Sequence, residues 1–541
     1  MSLFLGLDSS TQSLTAIVIE VSDGGERRVV FEHSFQFDTE LPEYGTTHGV
    51  LPNDDAQVVH SPPALWVAAL DHVMEFLARE SEVDLKQIRA VAGSGQQHGS
   101  VYLNASATGA LSQLDPRRPL VEQIGTIFSR PTSPIWMDSS TSQECREITD
   151  ALSGPSALAD LTGSRAFERF TGPQIRKFYH TEPEAYANTT TIHLVSSFLA
   201  TLLCGEHAAI DPGDGAGMNL MDLRRKAWAP AALDATAPGL QDKLPPVKES
   251  STIAGRLSSY WAERFGFSTE TLVALSSGDN PCSLIGVGLV ASGRIAISLG
   301  TSDTLFGFLP QPVVDSGGRG HVFGSPTGDY MSLICFLNGS LAREQIRDAA
   351  GYSWDDFERV LGETPPGNRG RVLLPWFAPE ITPHVPESGV RRYGLDDSDG
   401  PGNVRAVVEA QMMAMANHSE WMGVEVDTIY ATGGAASNRG ILTIMADVHG
   451  ANVYQLEVGN SAALGAALRA FQAFEVACGR GTSWDEVIRD FVTPLAESRI
   501  APDPERVELY RELRRVYTAC EEHALGRGED PASFLARYQD A

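Results

Sequence analysis

Two apolar runs that end in hydroxyl-rich turns open the two halves of the chain. Residues 5–8 lead into the turn Ser9-Ser10-Thr11-Gln12, and residues 295–299 lead into Gly300-Thr301-Ser302-Asp303, at an offset of 290 residues. A second apolar segment follows each turn, so both stretches predict a strand, a tight turn and a second strand. An offset this long does not fit a solenoid repeat and suits two domains that descend from one ancestor.

Apolar positions at helical spacing alternate with short strand-like runs along the rest of the chain. We expect a helix after Ser61-Pro62-Pro63, with Ser61 as its N-cap, because proline is tolerated in the first helical turn. Further helices are predicted at 404–421, 438–448, 462–476 and 504–525, and strands at 88–92, 428–431 and 453–456. This alternation predicts an α/β fold with helices packed on a largely parallel sheet. A chain of 541 residues is too long for one hydrophobic core, so we expect two domains, 1–290 and 291–541.

The charge balance limits the partners that the chain can bind. Formal net charge is −28, from 69 acidic and 41 basic residues, which disfavours nucleic acid or an anionic membrane surface as a partner. The six cysteines are scattered without a CxxC pair, as in a protein with reduced thiols. The start has no basic signal-peptide region and no apolar run is long enough to span a membrane. We therefore expect a cytoplasmic protein whose partners are small molecules. As to assembly, we expect a monomer or a homodimer.

Several familiar nucleotide-binding loops are absent from the sequence. Only five lysines occur and none follows a glycine, so there is no GxxxxGK[ST] loop. HRD and DFG are missing, and Gly93-Ser94-Gly95 with Gly99 has the wrong spacing for GxGxxG. A phosphate site would therefore rely on backbone N–H groups and hydroxyls, which both turns offer, with Asp8 placed to hold Mg²⁺ through water. Either turn alone is more often a plain β-hairpin.

Other polar groups follow apolar runs, and each has a functional and an ordinary interpretation. Gly433-Gly434 lies between a predicted strand and a helix, as an anion site or merely a tight turn. Asp279, in Gly278-Asp279-Asn280, could act as a general base or belong to an ordinary turn. The helix of small residues that begins near Asn460 is interpreted as a close packing surface rather than a ligand site.

A sugar pocket needs carboxylate, amide or guanidinium groups for vicinal hydroxyls and an aromatic wall. The N-terminal half offers such a set at the ends of apolar runs: Gln97, His98, Trp136, Asp138 and Arg169. A lone histidine is nevertheless more often a satisfied core residue, and an Arg–Glu pair is more often a surface ion pair.

Six motifs, taken in order, resemble those of the FGGY carbohydrate kinases. They are Asp8-Ser9-Ser10-Thr11, Gly95-Gln96-Gln97-His98-Gly99, Trp136-Met137-Asp138, Gly278-Asp279-Asn280, Ser298-Leu299-Gly300-Thr301-Ser302, and Thr432-Gly433-Gly434 with Asn438. Longer strings such as Glu168-Arg169-Phe170-Thr171-Gly172 are most similar to the xylulose kinases of that family, of the longer, animal-like type. The similarity runs from about residue 3 to about residue 475.

This resemblance implies an α/β protein of two ribonuclease-H-like domains, of the actin/hexokinase/Hsp70 type, flanking a cleft. It implies transfer of the γ-phosphoryl group of ATP to the 5-hydroxyl of D-xylulose, with Mg²⁺ and Asp279 as the base. The implied sugar contacts are His98, Arg169, Asp279 and Asn280, to which we add Gln97, Trp136 and Asp138. The implied nucleotide contacts are Ser10, Thr11, Gln12, Gly300, Thr301, Ser302, Trp354, Gly433, Gly434 and Asn438, with Asp8 at the metal.

The first turn departs from the family pattern in one respect. The family commonly carries Lys or Arg seven residues after the first aspartate, and this chain has Thr15 there. Either another arginine replaces that cation, or phosphate binding depends more on Mg²⁺ and backbone N–H groups. Two alternatives stay open: a kinase for another ketose or polyol, such as ribulose, gluconate or glycerol, and a non-catalytic actin-like sensor of nucleotide or sugar.

Overall fold

Two large β-sheets, one in each half of the chain, form the framework of the protein. The structure is a computed structural model and describes residues 2–22, 24–456 and 459–539. The strands of the first sheet are β1 Ser2–Ser9, β2 Ser13–Val21, β3 Arg27–Gln36, β4 Ile88–Gly95, β5 Ile253–Arg256, β6 Leu272–Ala274 and β7 Ser277–Gly278. Those of the second sheet are β8 Arg294–Leu299, β9 Asp303–Leu309, β10 His321–Gly324, β11 Tyr330–Phe336, β12 Thr428–Thr432 and β13 Asn452–Gln455.

Both sheets contain the same five-strand arrangement. In the first sheet the order is β3-β2-β1-β4-β6, with β5 outside β6 and β7 beside β4. In the second sheet the order is β11-β9-β8-β12-β13, with β10 outside β11. In each case the first three strands are antiparallel and the last two join in parallel. This shared order is the ribonuclease-H-like core that the family resemblance implies, and its repetition is what the two similar turns predict.

Helices cover both sheets. The ten that matter here are α1 Pro63–Glu80, α2 Thr171–Thr181, α3 Val195–Cys204, α4 Asp279–Gly286, α5 Ser340–Ala349, α6 Trp354–Glu363, α7 Gly400–His418, α8 Arg439–His449, α9 Ser461–Ala477 and α10 Pro504–Ala524. The remaining α-helices are Phe37–Glu40, Ala107–Ser112, Leu120–Ile124, Ser142–Ala151, Pro155–Thr162, Pro183–Asn188, Pro212–Gly215, Pro230–Thr236, Ser259–Phe265, Trp484–Ile488 and Ala532–Gln539. Within the described ranges, no helix combines the length and the apolar character that crossing a membrane requires.

Smaller elements connect this framework. Four two-stranded ladders pair Ser100–Asn104 with Thr189–Leu194, Val372–Leu374 with Arg391–Tyr393, His60–Ser61 with Ser133–Pro134, and Met221–Asp222 with Ala227–Trp228. Single 3₁₀ turns lie at Pro42–Tyr44, Leu85–Gln87, Ala216–Met218, Leu240–Lys243, Pro366–Gly370, Glu420–Met422, Gly434–Ser437 and Ala496–Ser498.

The prediction of a largely parallel sheet is wrong, because each sheet is mixed. Strand–helix alternation implies parallel pairing only where a helix separates the strands, as between β1 and β4. The hydroxyl turns connect β1 to β2 and β8 to β9 directly, and a tight turn between neighbouring strands requires antiparallel pairing.

Most predicted elements are present, and two boundaries need correction. The N-cap of α1 is Pro62, not Ser61, whose hydroxyl instead donates to the carbonyl oxygen of Gly49 at 2.7 Å. The helix expected at 404–421 begins at Gly400, where the side chain of Asp399 caps it, and ends at His418. A proline in the first turn is compatible with this earlier start.

The first sheet is buried on both faces, and alternate residues of β1 show how. Leu3, Leu5 and Leu7 pack into a core with α1 and α3, whereas Phe4 faces α9. Gly6 lets α9 approach closely: a Cβ there would lie 2.2 Å from the carbonyl oxygen of Ala463. The packing interpretation of this small-residue helix is therefore confirmed.

Helix α9 also crosses the division expected from the sequence. It belongs to the second half of the chain yet packs on the first sheet, where the ring centroids of Phe4 and Phe471 are 5.0 Å apart. A Cβ on Gly465 would lie 1.8 Å from the carbonyl oxygen of Cys282, so α9 and α4 are in backbone contact. The domain bounds 1–290 and 291–541 stay a prediction.

Candidate functional site

Asp8, at the end of β1, carries a buried carboxylate with one unpaired oxygen. The Ser10 hydroxyl donates to Asp8 Oδ2 at 2.5 Å, and Oδ1 is buried without a hydrogen-bond partner. Burial raises the pKa of Asp8, and the nearby hydroxyls of Ser10 and Ser94 oppose that shift. A buried polar atom without a protein partner is costly, and a ligand, water or ion can satisfy it.

Asp279 is the first residue of α4 and lies within electrostatic reach of Asp8. Its Oδ1 accepts the backbone N–H of Asn280 at 2.8 Å and that of Gln97 at 3.3 Å. The Asn280 side-chain amide also donates to Gln97 Oε1 at 2.8 Å, which holds the three side chains together. Burial, followed by the negative charge of Asp8, raises the pKa of Asp279 to about 7. A carboxylate with this pKa can accept a proton near neutral pH.

His98 follows Gln97 and is fixed as a neutral imidazole. Its Nδ1 lies 2.8 Å from the carbonyl oxygen of Gly217, which can only accept, so Nδ1 carries the proton and Nε2 is an acceptor. Phe170 packs on the ring with centroids 4.4 Å apart. Burial, with the charge of Arg169 acting in the same direction, lowers the pKa of His98 to about 3.

Arg169 is held by aromatic rings and by a histidine of the second sheet. Its Nη2 donates to His321 Nε2 at 3.0 Å, and the guanidinium carbon lies 5.0 Å from the centroid of Phe167. His321 Nδ1 in turn lies 3.0 Å from the hydroxyl of Ser164. Burial and the charge of Arg169 hold the pKa of His321 well below its ordinary value, so it stays a neutral acceptor. The remaining guanidinium N–H groups can donate to oxygens of a polyol.

Trp136 and Asp138 lie in one loop but in different surroundings. Trp136 is 46% exposed, and its Nε1 donates to the hydroxyl of Thr11 at 2.8 Å, which brings it to the first turn. Asp138 is buried, and its oxygens accept from Ser140, Gln174 and the backbone of Val59. Burial opposes ionisation of Asp138, but hydrogen bonds, first from His60 and then from Ser140 and Gln174, hold the pKa of this carboxyl below its ordinary value. The buried carboxylate therefore orders the loop.

A cavity of about 550 Å³ lies beside the second turn. Five of the predicted nucleotide residues line it: Gly300, Thr301, Trp354, Gly434 and Asn438. Trp354 is 42% exposed with the guanidinium of Arg347 4.4 Å above its ring, and Asn438 caps α8 by accepting from the N–H of Ile441 at 3.0 Å. The described residues that line the cavity include none from the first turn, so Ser10, Thr11 and Gln12 belong to the neighbourhood of Asp8 instead.

Gly433 and Ser302 flank this cavity without lining it. Gly433 has φ +85°, and a Cβ there would lie 2.6 Å from the carbonyl oxygen of Leu299, so glycine is required to bring the loop against the second turn. After Ser302, Asp303 forms a buried bidentate ion pair with Arg343, at 2.8 and 3.0 Å. The two turns therefore differ, because only the first has a carboxylate oxygen free for a ligand.

Models of both domains of a known family match the chain. The N-terminal domain of the FGGY family of carbohydrate kinases matches residues 132–286, and its C-terminal domain matches residues 295–474. A "Xylulose kinase" of Rattus norvegicus is 42% identical over 538 residues, covering 97% of this chain and 98% of the relative. "Xylulose kinase 2" of Arabidopsis thaliana is 43% identical over 493 residues, covering 87% of each chain.

The chain belongs to the FGGY family of carbohydrate kinases.

Solved structures of FGGY kinases share its two-domain, actin/hexokinase-like fold. A xylulose kinase from Rhodospirillum rubrum superposes with a TM-score of 0.78 at 21% identity, covering 97% of this chain and 99% of that one. A gluconate kinase from Lactobacillus acidophilus reaches 0.79 at 18% identity, covering 97% and 98%. Because kinases named for different sugars superpose equally well, the fold does not select the sugar.

The position where FGGY kinases commonly carry a basic residue holds a buried threonine in this chain. Thr15 pairs with Asp8 in the β1–β2 register, is buried, and bonds through its hydroxyl to Ser34 at 2.8 Å. Among the described contacts of Asp8 there is no Lys or Arg, so the structure supplies no substitute cation beside it.

The donor set around Asp8 fits a magnesium ion held mainly by water and phosphate. In the ranges 2–22, 24–456 and 459–539, no group of three or more His, Cys, Asp or Glu side chains could hold a metal. Mg²⁺ in kinases is commonly bound by one or two carboxylates, with substrate phosphates and waters completing the shell. The free Oδ1 of Asp8 fits that role.

Sequence reasoning missed the residues that hold the FGGY site from a distance. His321 orients Arg169 from 152 positions away, and the carbonyl oxygen of Gly217 sets the tautomer of His98 from 119 positions away. Neither lies in a motif with a chemical signature. No local signal in the sequence could have identified them.

Proposed function

We propose that this carbohydrate kinase transfers the γ-phosphoryl group of ATP to the 5-hydroxyl of D-xylulose, with Asp279 as the general base. One observation carries the mechanism: Asp279 lies at the start of α4, between Gln97 and Asn280, with a pKa near 7 and an unpaired Asp8 oxygen nearby. The near-complete match to relatives named xylulose kinase supports the choice of sugar.

In the proposed sugar site, neutral and cationic side chains have different roles in binding the sugar hydroxyls. His98 Nε2 accepts a hydrogen bond from a sugar hydroxyl, because Nδ1 is already committed to Gly217. Arg169 donates to sugar oxygens, and Asn280 and Gln97 hold the Asp279 carboxylate toward the reacting hydroxyl. Asp279 takes the proton late in the transfer, as in other phosphoryl-transfer sites. Trp136 forms the wall between the sugar and the first turn, and Asp138 orders the loop that carries it.

In the proposed nucleotide site, ATP occupies the cavity beside the second turn. The adenosine lies between Trp354 and the Gly433-Gly434 loop, near Asn438, and Gly300, Thr301 and Ser302 direct backbone and hydroxyl donors at the phosphates. Ser10, Thr11 and Gln12 meet the same phosphates from the first sheet. Mg²⁺, when bound, supplies charge neutralisation, and Asp8 would hold it. We retain the prediction that the enzyme works in the cytoplasm as a monomer or homodimer.

A panel of acceptors in one ADP-release assay tests the substrate. D-xylulose, D-ribulose, gluconate and glycerol are each supplied with ATP and Mg²⁺, and we expect the highest kcat/KM with D-xylulose. A higher value for another sugar would leave the kinase chemistry intact and replace the proposed substrate. Sugar binding by calorimetry without turnover of any acceptor would favour the sensor alternative.

Asp279→Ala tests the proposed base. We expect turnover to fall by about 10²–10⁴-fold, because a positioned base contributes that much to proton transfer. ATP affinity should stay near that of the wild type, since the nucleotide cavity is lined by other residues. Normal turnover in a folded Asp279→Ala variant would rule out the assignment.

A further inference from the structure

A buried arginine from the second half of the chain reaches into the sheet that carries the proposed base. Arg469 lies on α9 and is 2% exposed. Its Nη2 donates to the carbonyl oxygen of Leu275 at 2.8 Å, and its Nη1 donates to that of Gly93 at 3.3 Å. One guanidinium group therefore holds the ends of β4 and β6 together.

The charge partner of Arg469 is Asp211, which is fully buried. Asp211 Oδ2 lies 3.3 Å from Arg469 Nη2, while Oδ1 accepts from the Ser277 hydroxyl at 2.5 Å and the Gly213 N–H at 2.8 Å. Asp211 thus joins the arginine to β7 and to the short helix Pro212–Gly215, which it caps. Every oxygen of this carboxylate is in use.

Each segment held by this pair leads directly to a proposed sugar-site residue. Gly93 lies near the end of β4, shortly before Gln97 and His98, and Ser277 lies two residues before Asp279. Asp211 caps the short helix Pro212–Gly215, which supplies the Gly213 carbonyl that accepts from Gln97 Nε2 at 3.3 Å. The 3₁₀ turn that follows supplies the Gly217 carbonyl that fixes His98. The ion pair is the point where all three segments meet.

Stability alone does not explain a buried ion pair at this position. Removing two charges from water costs several kcal/mol each, and well-packed apolar residues often stabilise a fold equally well. A planar guanidinium, however, can donate in several fixed directions at once, which suits it to set the relative positions of three chain segments. Small displacements of a reacting group can cost about 100-fold in rate, so such positioning has catalytic value.

We propose that Arg469 and Asp211 are positioning residues that hold Asp279, Gln97 and His98 in register for phosphoryl transfer. The proposal rests on the proposed role of Asp279 as the base. Since Arg469 lies on α9, the second half of the chain also determines the geometry of the sugar site in the first sheet.

Three variants and a matched control separate positioning from structural support. Arg469→Met removes the ion pair and every hydrogen bond of the guanidinium group. Arg469→Lys keeps the positive charge beside Asp211 but offers a single nitrogen as donor. Ser277→Ala removes only the hydrogen bond from β7 to Asp211. The control is Arg264→Met, because Arg264 likewise pairs with a buried aspartate, Asp71, and donates to a backbone carbonyl, that of Pro116. None of its partners contacts a site residue named above.

We expect Arg469→Met and Arg469→Lys to lose at least about tenfold in kcat and to raise the KM for the sugar. The KM for ATP should stay within about twofold, since the nucleotide cavity is untouched. Arg469→Lys should recover much of the Tm lost in Arg469→Met without recovering kcat. Arg264→Met should lower Tm while leaving kcat and both KM values near wild type, measured well below every unfolding transition.

Wild-type kcat and sugar KM in a folded Arg469 variant would overturn the proposal. It would also be overturned if Arg264→Met lost as much kcat as the Arg469 variants for the same decrease in Tm. If Arg469→Met does not fold, Arg469→Lys and Ser277→Ala decide, and an unchanged kcat in both refutes positioning. If the wild type prefers another sugar, only the substrate proposal fails, and the same variants are measured with that sugar.

Discussion

At the scale of single residues, the two carboxylates Asp8 and Asp279 define the chemistry that the site can perform. Asp8 keeps a buried oxygen unpaired, and Asp279 is held by the backbone of Gln97 and Asn280. Their burial and mutual repulsion oppose ionisation, so the ionised pair is a costly state of the folded protein. Enzymes commonly accept such a cost where a base must work near neutral pH.

The pKa of Asp279 predicts an acid limb in the pH–rate profile. A base must be ionised, and the folded-state pKa is raised from 3.8 to about 7. Activity should therefore be full above pH 7 and fall as pH is lowered through that value, with log(kcat/KM) declining about one unit per pH unit. Steady-state kinetics between pH 5 and 9 measure this, and a profile that stays flat to pH 5 would contradict the assignment.

The pH dependence of folding stability provides a control for this prediction, because stability should fall with rising pH where activity should rise. Between its ordinary pKa of 3.8 and about 7, the folded protein binds a proton at Asp279 that the unfolded chain has released, so folding stability declines as pH rises through that window. Asp279→Asn removes the free-energy cost of ionising this buried carboxyl group. We expect it to raise Tm more at pH 8 than at pH 5, although it removes activity.

At the scale of elements, close contact between β1 and α9 decides how the first sheet is covered. Gly6 faces α9, where a Cβ would lie 2.2 Å from the carbonyl oxygen of Ala463 and 2.4 Å from the nitrogen of Ala467. Because these are backbone atoms, no side-chain rotation can relieve the clash. Asp8 lies two residues further along β1, so this contact also fixes the strand that ends at the first turn.

Gly6→Ala should destabilise the protein by roughly 1–3 kcal/mol or more, the usual cost of overpacking a core. Chemical denaturation measures the change in the free energy of unfolding. The matched control is Gly109→Ala, in the helix Ala107–Ser112, where a Cβ would have no neighbour within 4 Å. There we expect no loss and a gain of about 0.5–1 kcal/mol from helix propensity. Equal changes in the free energy of unfolding at both positions would contradict the close contact between β1 and α9.

At the scale of the whole molecule, two sheets of the same order bring together different ligand groups. Asp8, His98 and Asp279 lie in or just after strands of the first sheet, and the cavity that Gly300 and Trp354 line lies beside the second sheet. They are joined by α9, which packs on the first sheet, and by the bond from Arg169 to His321 on β10. Sugar and nucleotide are therefore proposed to bind to separate halves whose geometry is nevertheless shared.

Two half-exposed tryptophans, Trp136 and Trp354, test this division. We expect Trp354→Ala to raise the KM for ATP by about tenfold, since an aromatic contact with a ligand base contributes about 1–3 kcal/mol, and to leave the KM for the sugar unchanged. Trp136→Ala should raise the KM for the sugar by more than that for ATP. Steady-state kinetics with each substrate varied in turn give both constants. A rise in the same constant for both variants would contradict the division of sites.

The sequence by itself determined the local elements and the chemical types of the site. Apolar runs bounded by hydroxyl turns predicted both hairpins, and the family resemblance implied Trp354, Gly434 and Asn438, which the structure brings to one cavity. Turn and cap chemistry depends on neighbours only a few positions apart, so a linear pattern contains it. The motif around Asp279 likewise identified a carboxylate at a strand end.

Only the tertiary structure decided which distant groups meet. It replaced the expected parallel sheets by mixed ones, placed α9 on the first sheet, and supplied His321 and Arg469 as partners to residues more than 150 positions away. Burial and the charge of Asp8 set the pKa of Asp279, and the carbonyl oxygen of Gly217 sets the tautomer of His98. Such pairings depend on how whole sheets and helices pack, and that packing has no signature within any one segment of the sequence.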